Sequence, residues 1–364
     1  MPEPPAPPRP HDASPSDRAM ENLLRPRVFA DFPGQNTAKE NLTVYITAAK
    51  RRGEPLDHIL FSGPPGLGKT TLAGIVAAEM GVPMHVSSGP ALERRADLAG
   101  LLTSLSPGQA LFVDEIHRLP LPVEEYLYSA MEDWAIDIVM EQGLYAKSVR
   151  LPVPRFTLIG ATTRDGLLSA PFRARFGILE RLDYYDPETL AIILRRSAGI
   201  LGARLDDGGA AWLARHCRGT PRVANRFLAR ARDVAEVRGE GLIDHGMASL
   251  ALRMLGVDAN GLDEMDRRLL ETLARHDGGP VGVKTLAVSL GESDDTVENV
   301  HEPYLVREGY IAKTPQGRKL APRGWEALGR RPGGGAGAAA SADRSGDLFN
   351  QAEGASNGSP SALG

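Results

Sequence analysis

The segment GPPGLGKTT, residues 63–71, constrains the fold more than any other part of the sequence. It follows an apolar run, Ile59 to Phe61, that is typical of a buried parallel strand, and apolar residues at helical spacing resume after it. Glycines in such a loop let successive backbone N–H groups turn toward one anion. The segment therefore predicts a strand, a phosphate-binding loop and a helix N-terminus, within a parallel α/β sheet.

The loop also predicts individual contacts to a nucleoside triphosphate. Gly63, Gly66 and Gly68 have no Cβ to keep the backbone away from a phosphate. Lys69 would reach the β- and γ-phosphates, and the hydroxyl of Thr70 would ligate Mg²⁺. A glycine turn without a ligand is the alternative, and the complete motif in its strand–loop–helix context argues against it. We therefore expect ATP and Mg²⁺ as ligands.

A second strand end carries two adjacent carboxylates. In ALFVDEIHRL, residues 110–119, Asp114 and Glu115 directly follow three apolar residues, which makes an acidic surface turn the weaker interpretation. A carboxylate at the end of a strand can hold the metal through water, and its neighbour can polarise the attacking water. The sequence thus predicts an ATP hydrolase, with both carboxylates in its catalytic site.

A third apolar strand, RFTLIGATTR at residues 155–164, ends in Thr162 and Thr163. A hydroxyl at this strand end could lie between the second strand and the γ-phosphate. Threonine is also an ordinary strand residue. The pattern alone leaves both interpretations open.

Composition limits the classes of protein that the chain can belong to. Its 364 residues are enough for two or three domains, and its net charge of −4 gives no general signal for nucleic acid. Cys217 is the only cysteine, which rules out an intramolecular disulfide. No apolar run approaches the roughly 20 residues that cross a bilayer, and the proline-rich N-terminus lacks the apolar stretch of a signal peptide. We expect a cytoplasmic protein with no membrane association.

The pattern divides the chain into three folded parts between two disordered ends. We expect a disordered segment at 1–20 and a Gly/Ala/Ser-rich disordered tail at 331–364. Between them we expect an α/β fold: a P-loop domain with a parallel sheet flanked by helices at 21–186, a small helical domain at 187–256 and a winged-helix domain at 257–330. The last assignment rests on three helical segments followed by two strands around a Pro-Gln-Gly turn.

The winged-helix segment is also locally basic. Residues 301–331 hold seven Lys or Arg against three acidic residues, although the chain as a whole is acidic. This asymmetry favours contacts to DNA phosphates, which bind without reading sequence. A winged helix that mediates protein contacts is the alternative.

A predicted hairpin precedes the third strand of the sheet, at about 135–151. Ile136, Ile138 and Met140 alternate, a turn follows, and Val149 and Leu151 belong to the returning strand. Apolar side chains with no evident core to cover are candidates for a partner site. A hairpin folded back on its own domain is the alternative.

Six motifs make the sequence resemble the AAA+ ATPases and, more narrowly, the RuvB family of Holliday junction branch-migration motors. They occur in order as GPPGLGKTTLA, DEIHRL, MEDW, FTLIGATTR, APFRARFGI and GTPRVANR. The resemblance runs from about Leu24 to Leu328 and leaves only the tails outside. A P-loop alone would identify no family, whereas six motifs in register are specific.

The resemblance implies a nucleotide pocket wider than the glycine loop. Leu24 and Arg25 would touch the adenine side, and Tyr185 and Arg222 would close over the nucleotide from the small domain. Thr163 would sense the γ-phosphate. The other residues that the resemblance groups with the nucleotide site are Gly66, Lys69, Thr70, Thr71, Glu132, Asp133 and Trp134.

The segment PFRARFGI, residues 171–178, contains two arginines, Arg173 and Arg175. In the AAA+ arrangement the residues after the third strand lie on the far flank of the subunit, where an arginine reaches the neighbour's γ-phosphate and not its own. The resemblance implies that Arg175 is this arginine finger, and a surface ion pair for both residues is the alternative. A contact made head to tail closes into a ring or continues as a filament. We therefore expect a homo-oligomer, and the resemblance implies a hexamer.

The resemblance further implies the substrate and the partners. The motor would move Holliday junctions along duplex DNA in recombination, repair and the SOS response, with RuvA on the hairpin at about 135–151 and in a RuvC-containing resolvasome. Lys313 and Arg318 match the family's DNA-contacting positions, whereas Asp294 and Gln316 replace arginines and put part of this surface in doubt.

Three other functions compete with this one. An ATP-switched DNA initiator or loader would bind DNA without continuous translocation. A protein remodeller would need an aromatic pore loop, and residues 85–108 offer none. A small-molecule kinase would leave the predicted wing without a purpose.

Overall fold

The computed structural model of the chain describes residues 15–139 and 148–331. The chain divides into two compact units, one ending at Asp263 and one beginning at Glu264. The helices of the first unit are α1 (Pro15–Leu24), α2 (Asn36–Arg52), α3 (Lys69–Met80), α4 (Arg95–Ser104), α5 (Leu121–Asp133), α6 (Ala170–Arg173), α7 (Pro187–Leu201), α8 (Asp207–His216), α9 (Pro221–Arg238) and α10 (His245–Met254). Its strands are β1 (Ile59–Ser62), β2 (Met84–Ser88), β3 (Ala110–Asp114), β4 (Ala135–Val139), β5 (Ser148–Pro152), β6 (Thr157–Thr162), β7 (Ile178–Arg181), β8 (Arg204–Leu205) and β9 (Leu242–Ile243).

Five parallel strands form the central sheet of the first unit, in the order β2-β3-β6-β1-β7. Ile159 of β6 lies between Ile59 of β1 and Phe112 of β3, and all three side chains are fully buried. Because the strands are parallel, their carboxyl ends meet at one edge of the sheet, which is where ligands bind in open α/β sheets. The expected α/β fold with a parallel sheet is confirmed.

Helix α3 follows the glycine loop at once, as its apolar spacing predicts. Leu72, Ile75 and Val76 pack against the sheet with at most 1% of their surface exposed. The helix ends at Gly81, whose φ of 73° gives the left-handed conformation that closes a helix C-terminus. Truncating one of these side chains to alanine would cost about 2–5 kcal/mol of stability, so the helix is held firmly against the sheet.

The two faces of the central sheet are covered by different helices. On one face, α2 and α3 pack with the helices α7 to α10 into one hydrophobic cluster, through side chains such as Leu42, Leu72 and Leu194. On the other face, α4 and α5 contribute Leu98 and Leu127 to a second cluster. The sheet is therefore buried on both sides, as parallel sheets require.

Helices α7 to α10 form the small helical part of the first unit, and the chain leaves it only after Asp263. Arg218, whose side chain is 9% exposed, donates from Nη2 to the carbonyl of Gly261 at 3.0 Å and to the carboxylate of Asp263 at 3.1 Å. These bonds hold the connecting segment to the helices. The two compact units accordingly meet after Asp263.

Strands β4 and β5 pair antiparallel, with Ile136 opposite Leu151 and Ile138 opposite Val149. Ile136 is 1% exposed, and Ile138 and Leu151 pack partly buried against the α4–α5 side of the sheet. The base of the hairpin thus folds back on its own domain, whereas Val149 is exposed. The predicted turn, including Met140, lies outside the described residues.

The second unit has the winged-helix order of elements. Pro303 explains an irregularity in its third helix, because proline lacks an N–H and its ring excludes the carbonyl four residues earlier. The π-turn that results covers Val297–His301. The elements are α11 (Glu264–Arg275), α12 (Val283–Leu290), α13 (Asp294–Thr296), α14 (Glu302–Arg307), α15 (Pro322–Ala327), β10 (Ile311–Thr314) and β11 (Gly317–Leu320).

Helix α1 begins at Pro15, inside the segment expected to be disordered. Two tertiary contacts stabilise it: Leu24 is 3% exposed, and Glu21 lies 3.1 Å from Arg222 of α9. The remainder of that segment and the predicted C-terminal tail from residue 332 lie outside the described residues. Among the described helices, none combines the length and hydropathy that crossing a membrane requires.

Candidate functional site

A cavity opens at the carboxyl edge of the central sheet, where the glycine loop meets α1 and the helices α7 and α9. Most of the residues proposed from the sequence as nucleotide contacts line it, although they come from segments far apart in the chain. They are Leu24, Arg25, Gly66, Gly68, Lys69, Thr70, Thr71, Asp114, Glu115, Thr163, Tyr185 and Arg222.

The glycine loop takes a backbone conformation that only glycine adopts readily. Gly66 and Gly68 have φ values of 80° and 99°, in the region where a Cβ is disfavoured. Gly68 is also the N-cap residue directly before α3, so the free N–H groups of that helix point along the loop. The helix N-terminus and the loop together form a site for an anion.

Lys69, the first residue of α3, is 7% exposed, and its ammonium donates to the carbonyls of Gly63 at 2.7 Å and Pro64 at 2.9 Å. Burial lowers the pKa of Lys69 to about 8, while the carboxylates of Asp114 and Glu115 oppose that shift. The side chain is therefore held across the loop, in the position from which it can bind phosphate oxygens.

Two oxygen groups of the kind that bind Mg²⁺ lie together in the cavity. The hydroxyl of Thr70 is 3.5 Å from Oδ2 of Asp114, while Oδ1 of Asp114 accepts the backbone N–H of Glu115 at 3.0 Å. Hydroxyl and carboxylate oxygens suit a hard divalent cation that keeps several water ligands. The donor set therefore fits the predicted Mg²⁺.

Glu115 projects from β3 in an unusual backbone conformation, with φ 49° and ψ 44°. Left-handed conformations are uncommon for residues other than glycine and cluster at functional sites. Its Oε2 accepts a hydrogen bond from the hydroxyl of Thr163 at 3.4 Å. A carboxylate in this position can accept a proton from a water in the cavity.

The two threonines at the end of β6 have different surroundings, which the sequence pattern could not distinguish. Thr162 is fully buried and its Oγ1 lies 2.9 Å from Nδ1 of His117. Thr163 lines the cavity beside Glu115. Of the two, only Thr163 is in position to contact a γ-phosphate.

Tyr185 and Arg222 close the cavity from the side of the small helices. The hydroxyl of Tyr185 donates to the carbonyl of Leu67 at 3.2 Å, and burial raises the pKa of Tyr185 to about 12. Nε of Arg222 lies 3.1 Å from the carboxylate of Glu21. The guanidinium is about half exposed, so a phosphate can compete for it.

Several residues that line the cavity carried no recognisable signal in the sequence. Arg196 of α7 donates to the carbonyl of Leu24 at 2.9 Å and so joins α1 to the small helices. Arginines are dense along these helices, and only the tertiary structure shows which of them faces the cavity. The further lining residues include Glu21, Phe32, Ile193, Arg196, Ser197 and Asn225.

The segment Glu132 to Trp134, which the resemblance groups with the nucleotide site, does not line this cavity. Helix α5 ends there, on the opposite face of the sheet. Asp133 pairs with Arg150 of the hairpin at 3.1 Å. The Trp134 ring packs against His58 and Phe156. These residues therefore belong to the flank of the domain that carries α5.

Both arginines of the segment 171–178 make ion pairs within the chain. Arg175 Nη1 lies 2.8 Å from Glu132 Oε1, and Arg173 Nη2 lies 3.6 Å from Asp165 Oδ2. The guanidinium of Arg175 also faces the ring of Tyr128, with 5.8 Å between Cζ and the ring centroid. Arg175 is not among the residues that line the cavity, so it cannot act on a phosphate there from its present position.

In the second unit, the two predicted DNA contacts differ in exposure. The side chain of Lys313 is 55% exposed on β10, with Nζ 3.6 Å from carboxylates of Glu298 and Glu302. The side chain of Arg318, by contrast, is 8% exposed and forms buried ion pairs with Glu302 and with Glu298, the latter at 2.8 Å. A direct phosphate contact by Arg318 fits this arrangement less well, because its Nε and Nη2 donate to two carboxylates.

The other polar residues in and near the hairpin β10–β11 also differ in exposure and in ion pairing. Gln316 is exposed in the turn between β10 and β11, and Lys319 is exposed on β11. Arg323 pairs with Glu308 at 3.0 Å and lies over the ring of Tyr310. Lys313 and Lys319 are thus the exposed cations of the hairpin itself.

A glycine loop on a parallel sheet, paired carboxylates on the adjacent strand and a cavity closed by a small helical part define a P-loop nucleotide-binding protein of the AAA+ class. Three family models match successive parts of the chain: the Holliday junction DNA helicase RuvB P-loop domain at 24–182, the RuvB AAA lid domain at 185–258 and the RuvB C-terminal winged helix domain at 259–329. The chain belongs to the RuvB family.

Relatives and solved structures agree with these models. The Holliday junction branch migration complex subunit RuvB of Salinibacter ruber is 54% identical over 93% of this chain and 96% of its own length. The corresponding protein of Myxococcus xanthus is 55% identical over 88% of this chain and 94% of its own. The structure of the Thermotoga maritima RuvB Holliday junction branch migration motor superposes with a TM-score of 0.77, at 44% identity, over 85% of this chain and 99% of that one.

Proposed function

We propose that the chain is an ATP-hydrolysing motor that translocates duplex DNA and drives branch migration of Holliday junctions. The observation that carries this proposal is one cavity in which Lys69, Asp114, Glu115 and Thr163 converge, on a chain that also has a winged-helix unit. The family supports the choice of substrate, since the relatives are named for Holliday junction branch migration.

Each group in the cavity has a defined task in hydrolysis. The glycine loop and Lys69 hold the β- and γ-phosphates through N–H donors and a positive charge. Glu115 orients the attacking water and accepts its proton, and Thr163 links that carboxylate to the γ-phosphate. Thr70 and Asp114 would hold Mg²⁺, which would supply neutralisation of the negative charge that develops on the phosphates. Arg222 and Tyr185 close over the nucleotide.

The active site requires a second copy of the chain. The cavity holds no arginine from the segment 171–178, and Arg175 lies instead with Glu132 on the α5 flank. We assign Arg175 to the γ-phosphate of the neighbouring subunit and place Glu132 to Trp134 beside it at that seam. Such a head-to-tail contact is heterologous and generates a ring when it closes, which we propose is a hexamer.

Contacts with DNA come from the exposed cations of the wing. Lys313 and Lys319 can bind phosphate oxygens without discriminating between bases. A motor that must pass every sequence needs this kind of contact. Arg318 acts from inside the unit, through its ion pairs with Glu302 and Glu298.

We assign the hairpin β4–β5 to the contact with RuvA. Val149 is exposed there, although the base of the hairpin packs on its own domain. In this proposal the chain works in the cytoplasm, in recombination and repair, next to a RuvC-containing resolvasome.

The decisive experiment follows a synthetic four-way junction with fluorophores on opposite arms. We expect ATP-dependent separation of the arms when the protein and RuvA are both present, and none with a non-hydrolysable analogue. Few ATP turnovers per binding event without movement of the junction would instead indicate an ATP-switched loader.

A further inference from the structure

The carboxylate of Glu115 is one end of a chain of contacts that leads back to the end of β6 through His117, a residue with no assigned role. Nε2 of His117 lies 3.4 Å from Oε2 of Glu115, and Nδ1 of the same ring lies 2.9 Å from Oγ1 of Thr162. The His117 side chain is 8% exposed. The ring therefore bridges the end of β6 and the carboxylate that follows β3, away from bulk solvent.

One tautomer of His117 fits these contacts, with the ring proton on Nε2. Oγ1 of Thr162 accepts the backbone N–H of Arg164 at 3.0 Å. The Thr162 hydroxyl proton can then be donated to Nδ1 of His117, which leaves the ring proton on Nε2, facing Glu115. Each member donates to the next, so a neutral imidazole satisfies the whole chain.

Glu115 depends on such support because its backbone does not fix its side chain. It stands in a left-handed conformation at the start of the 3-10 turn Ile116–Arg118, and its side chain is 35% exposed at the cavity. The contacts of its Oε2 are with the ring of His117 and the hydroxyl of Thr163. The His117 side chain is 8% exposed, so it offers this carboxylate a partner that is held within the protein.

We propose that His117 is a positioning residue for ATP hydrolysis: its Nε2–H holds Oε2 of Glu115, so that the other carboxylate oxygen faces the attacking water. This proposal depends on the function proposed above for Glu115. It also connects β6 to Glu115 in two ways. Thr163 contacts the carboxylate directly, and the adjacent Thr162 contacts it through His117. A shift at the end of β6 then moves both contacts together.

Two substitutions separate the two ends of the ring. In His117→Gln, the side-chain amide N–H can occupy the place of Nε2 and still donate to Glu115. In His117→Asn, the amide reaches only the place of Nδ1 and keeps the contact to Thr162. We expect His117→Asn to lower kcat about 10- to 100-fold, the effect of losing a hydrogen bond to a charged group, with nucleotide Kd within about twofold of the unchanged protein. His117→Gln should retain kcat within about threefold.

The experiment measures single-turnover hydrolysis of γ-labelled ATP by the full chain with saturating duplex DNA and RuvA, and nucleotide Kd with a fluorescent analogue. Glu115→Gln and the double variant Glu115→Gln/His117→Asn complete a double-mutant cycle. We expect no further loss from His117→Asn once Glu115 is replaced, because the group that it positions is gone.

The outcomes are distinguishable. Equal kcat for unchanged protein and His117→Asn, with Glu115→Gln strongly impaired, overturns the role of His117 and leaves the proposed function intact. The same fold-loss from His117→Asn in both backgrounds shows a structural role and also overturns the proposal. Undiminished hydrolysis by Glu115→Gln would show that Glu115 is not the general base. That result overturns both the proposed function of Glu115 and the role of His117. If His117→Asn does not fold, loss of kcat in folded His117→Gln still refutes the positioning role.

Discussion

Nη1 of Arg175 lies 2.8 Å from Oε1 of Glu132. The ion pair joins the short helix α6 to the end of α5, and neither residue lines the nucleotide cavity of its own chain. Two residues that the resemblance connects with the nucleotide thus lie side by side away from the cavity. A second subunit that presents its cavity to this flank accounts for both.

Mixing two inactive variants tests this shared site. Arg175→Ala should lower ATP hydrolysis about 10³-fold or more, the usual contribution of an arginine finger, and Lys69→Ala should be inactive because its own cavity cannot hold the phosphates. In an equal mixture, about a quarter of the seams pair an intact cavity with an intact Arg175, by random assembly around a ring. Hydrolysis should therefore recover to a measurable fraction of the rate of the unchanged protein. The release of phosphate over time measures it.

Arg173→Ala is the matched control for that measurement. Its partner is Asp165 at 3.6 Å, in an exposed ion pair of the kind that contributes little. We expect hydrolysis within about threefold of the unchanged protein. A mixture of Arg175→Ala and Lys69→Ala that stays inactive, although rings form, would exclude a finger supplied in trans.

Lys313→Ala should weaken DNA binding without destabilising the winged-helix unit. Removing an exposed lysine that contacts a phosphate lowers the affinity evenly across DNA sequences. It also reduces the slope of log K against log salt by about 1. Fluorescence anisotropy with two unrelated duplexes over a range of salt measures both effects. Arg275→Ala removes one positive charge from α11 and serves as the control, and a sequence-selective loss in Lys313→Ala would contradict phosphate contact.

Arg318→Met should act on stability first. Glu302 is 3% exposed, and removing Arg318 leaves this buried carboxylate with the longer contact to Lys313 at 3.6 Å, at a cost of up to about 3–5 kcal/mol. Urea unfolding, monitored through the fluorescence of Trp325 in the same unit, should give a lower midpoint for Arg318→Met than for Lys313→Ala. A stable Arg318→Met variant that has lost DNA affinity would restore Arg318 as a direct contact.

His58 makes the stability of the first unit depend on pH. Burial lowers the pKa of His58 to about 4, and Nδ1 accepts the N–H of Leu158 at 2.9 Å, a bond that protonation of Nδ1 would remove. The unfolded chain binds the proton near pH 6.5, whereas the folded chain binds it only near pH 4. The free energy of unfolding is therefore highest above pH 6.5 and decreases as the pH falls from 6.5 to 4. The loss is about 3 kcal/mol.

The matched variant for this effect is His58→Asn, whose amide oxygen can accept the same N–H and does not titrate. Urea unfolding at pH 7 and pH 4.5 should show a larger fall in the free energy of unfolding for the unchanged protein than for His58→Asn. Equal falls would show that His58 does not contribute to the acid sensitivity.

Cys217 should be unreactive in the folded protein. Its side chain is fully buried, and burial raises the pKa of the thiol well above its usual value; the thiolate is the reactive species. We expect a disulfide reagent at pH 8 to leave the folded chain unmodified and to label one thiol per chain in urea. Rapid labelling without denaturant would indicate that the small helices open more readily than their packing suggests.

The elements closest to the chemistry could be predicted from the sequence because their signals are local. A glycine loop between a strand and a helix, or two carboxylates after an apolar run, specifies its own conformation within about ten residues. The strand ends then meet because parallel strands place their carboxyl ends at one edge. Asp114 and Lys69 lie near each other for this reason.

Sequence reasoning does not show a side chain's surroundings where they depend on distant segments. The resemblance matched Arg318 to a DNA-contacting position, and the structure shows that Glu298 and Glu302 pair with it. The segment 132–134 matched a nucleotide-associated motif, and a sequence alone does not show on which flank it lies. The N-terminal segment was proline-rich, and only its contact with α9 shows why a helix forms there.

The cavity has walls from both the sheet edge and the small helices, and this has a consequence for folding. A nucleotide held by Lys69 on one wall and Arg222 on the other acts as a reversible crosslink between two parts of the chain. Its binding free energy is added to the free energy needed to separate the sheet from the small helices. Saturation with ATP should therefore merge the melting of these two parts into one sharper transition.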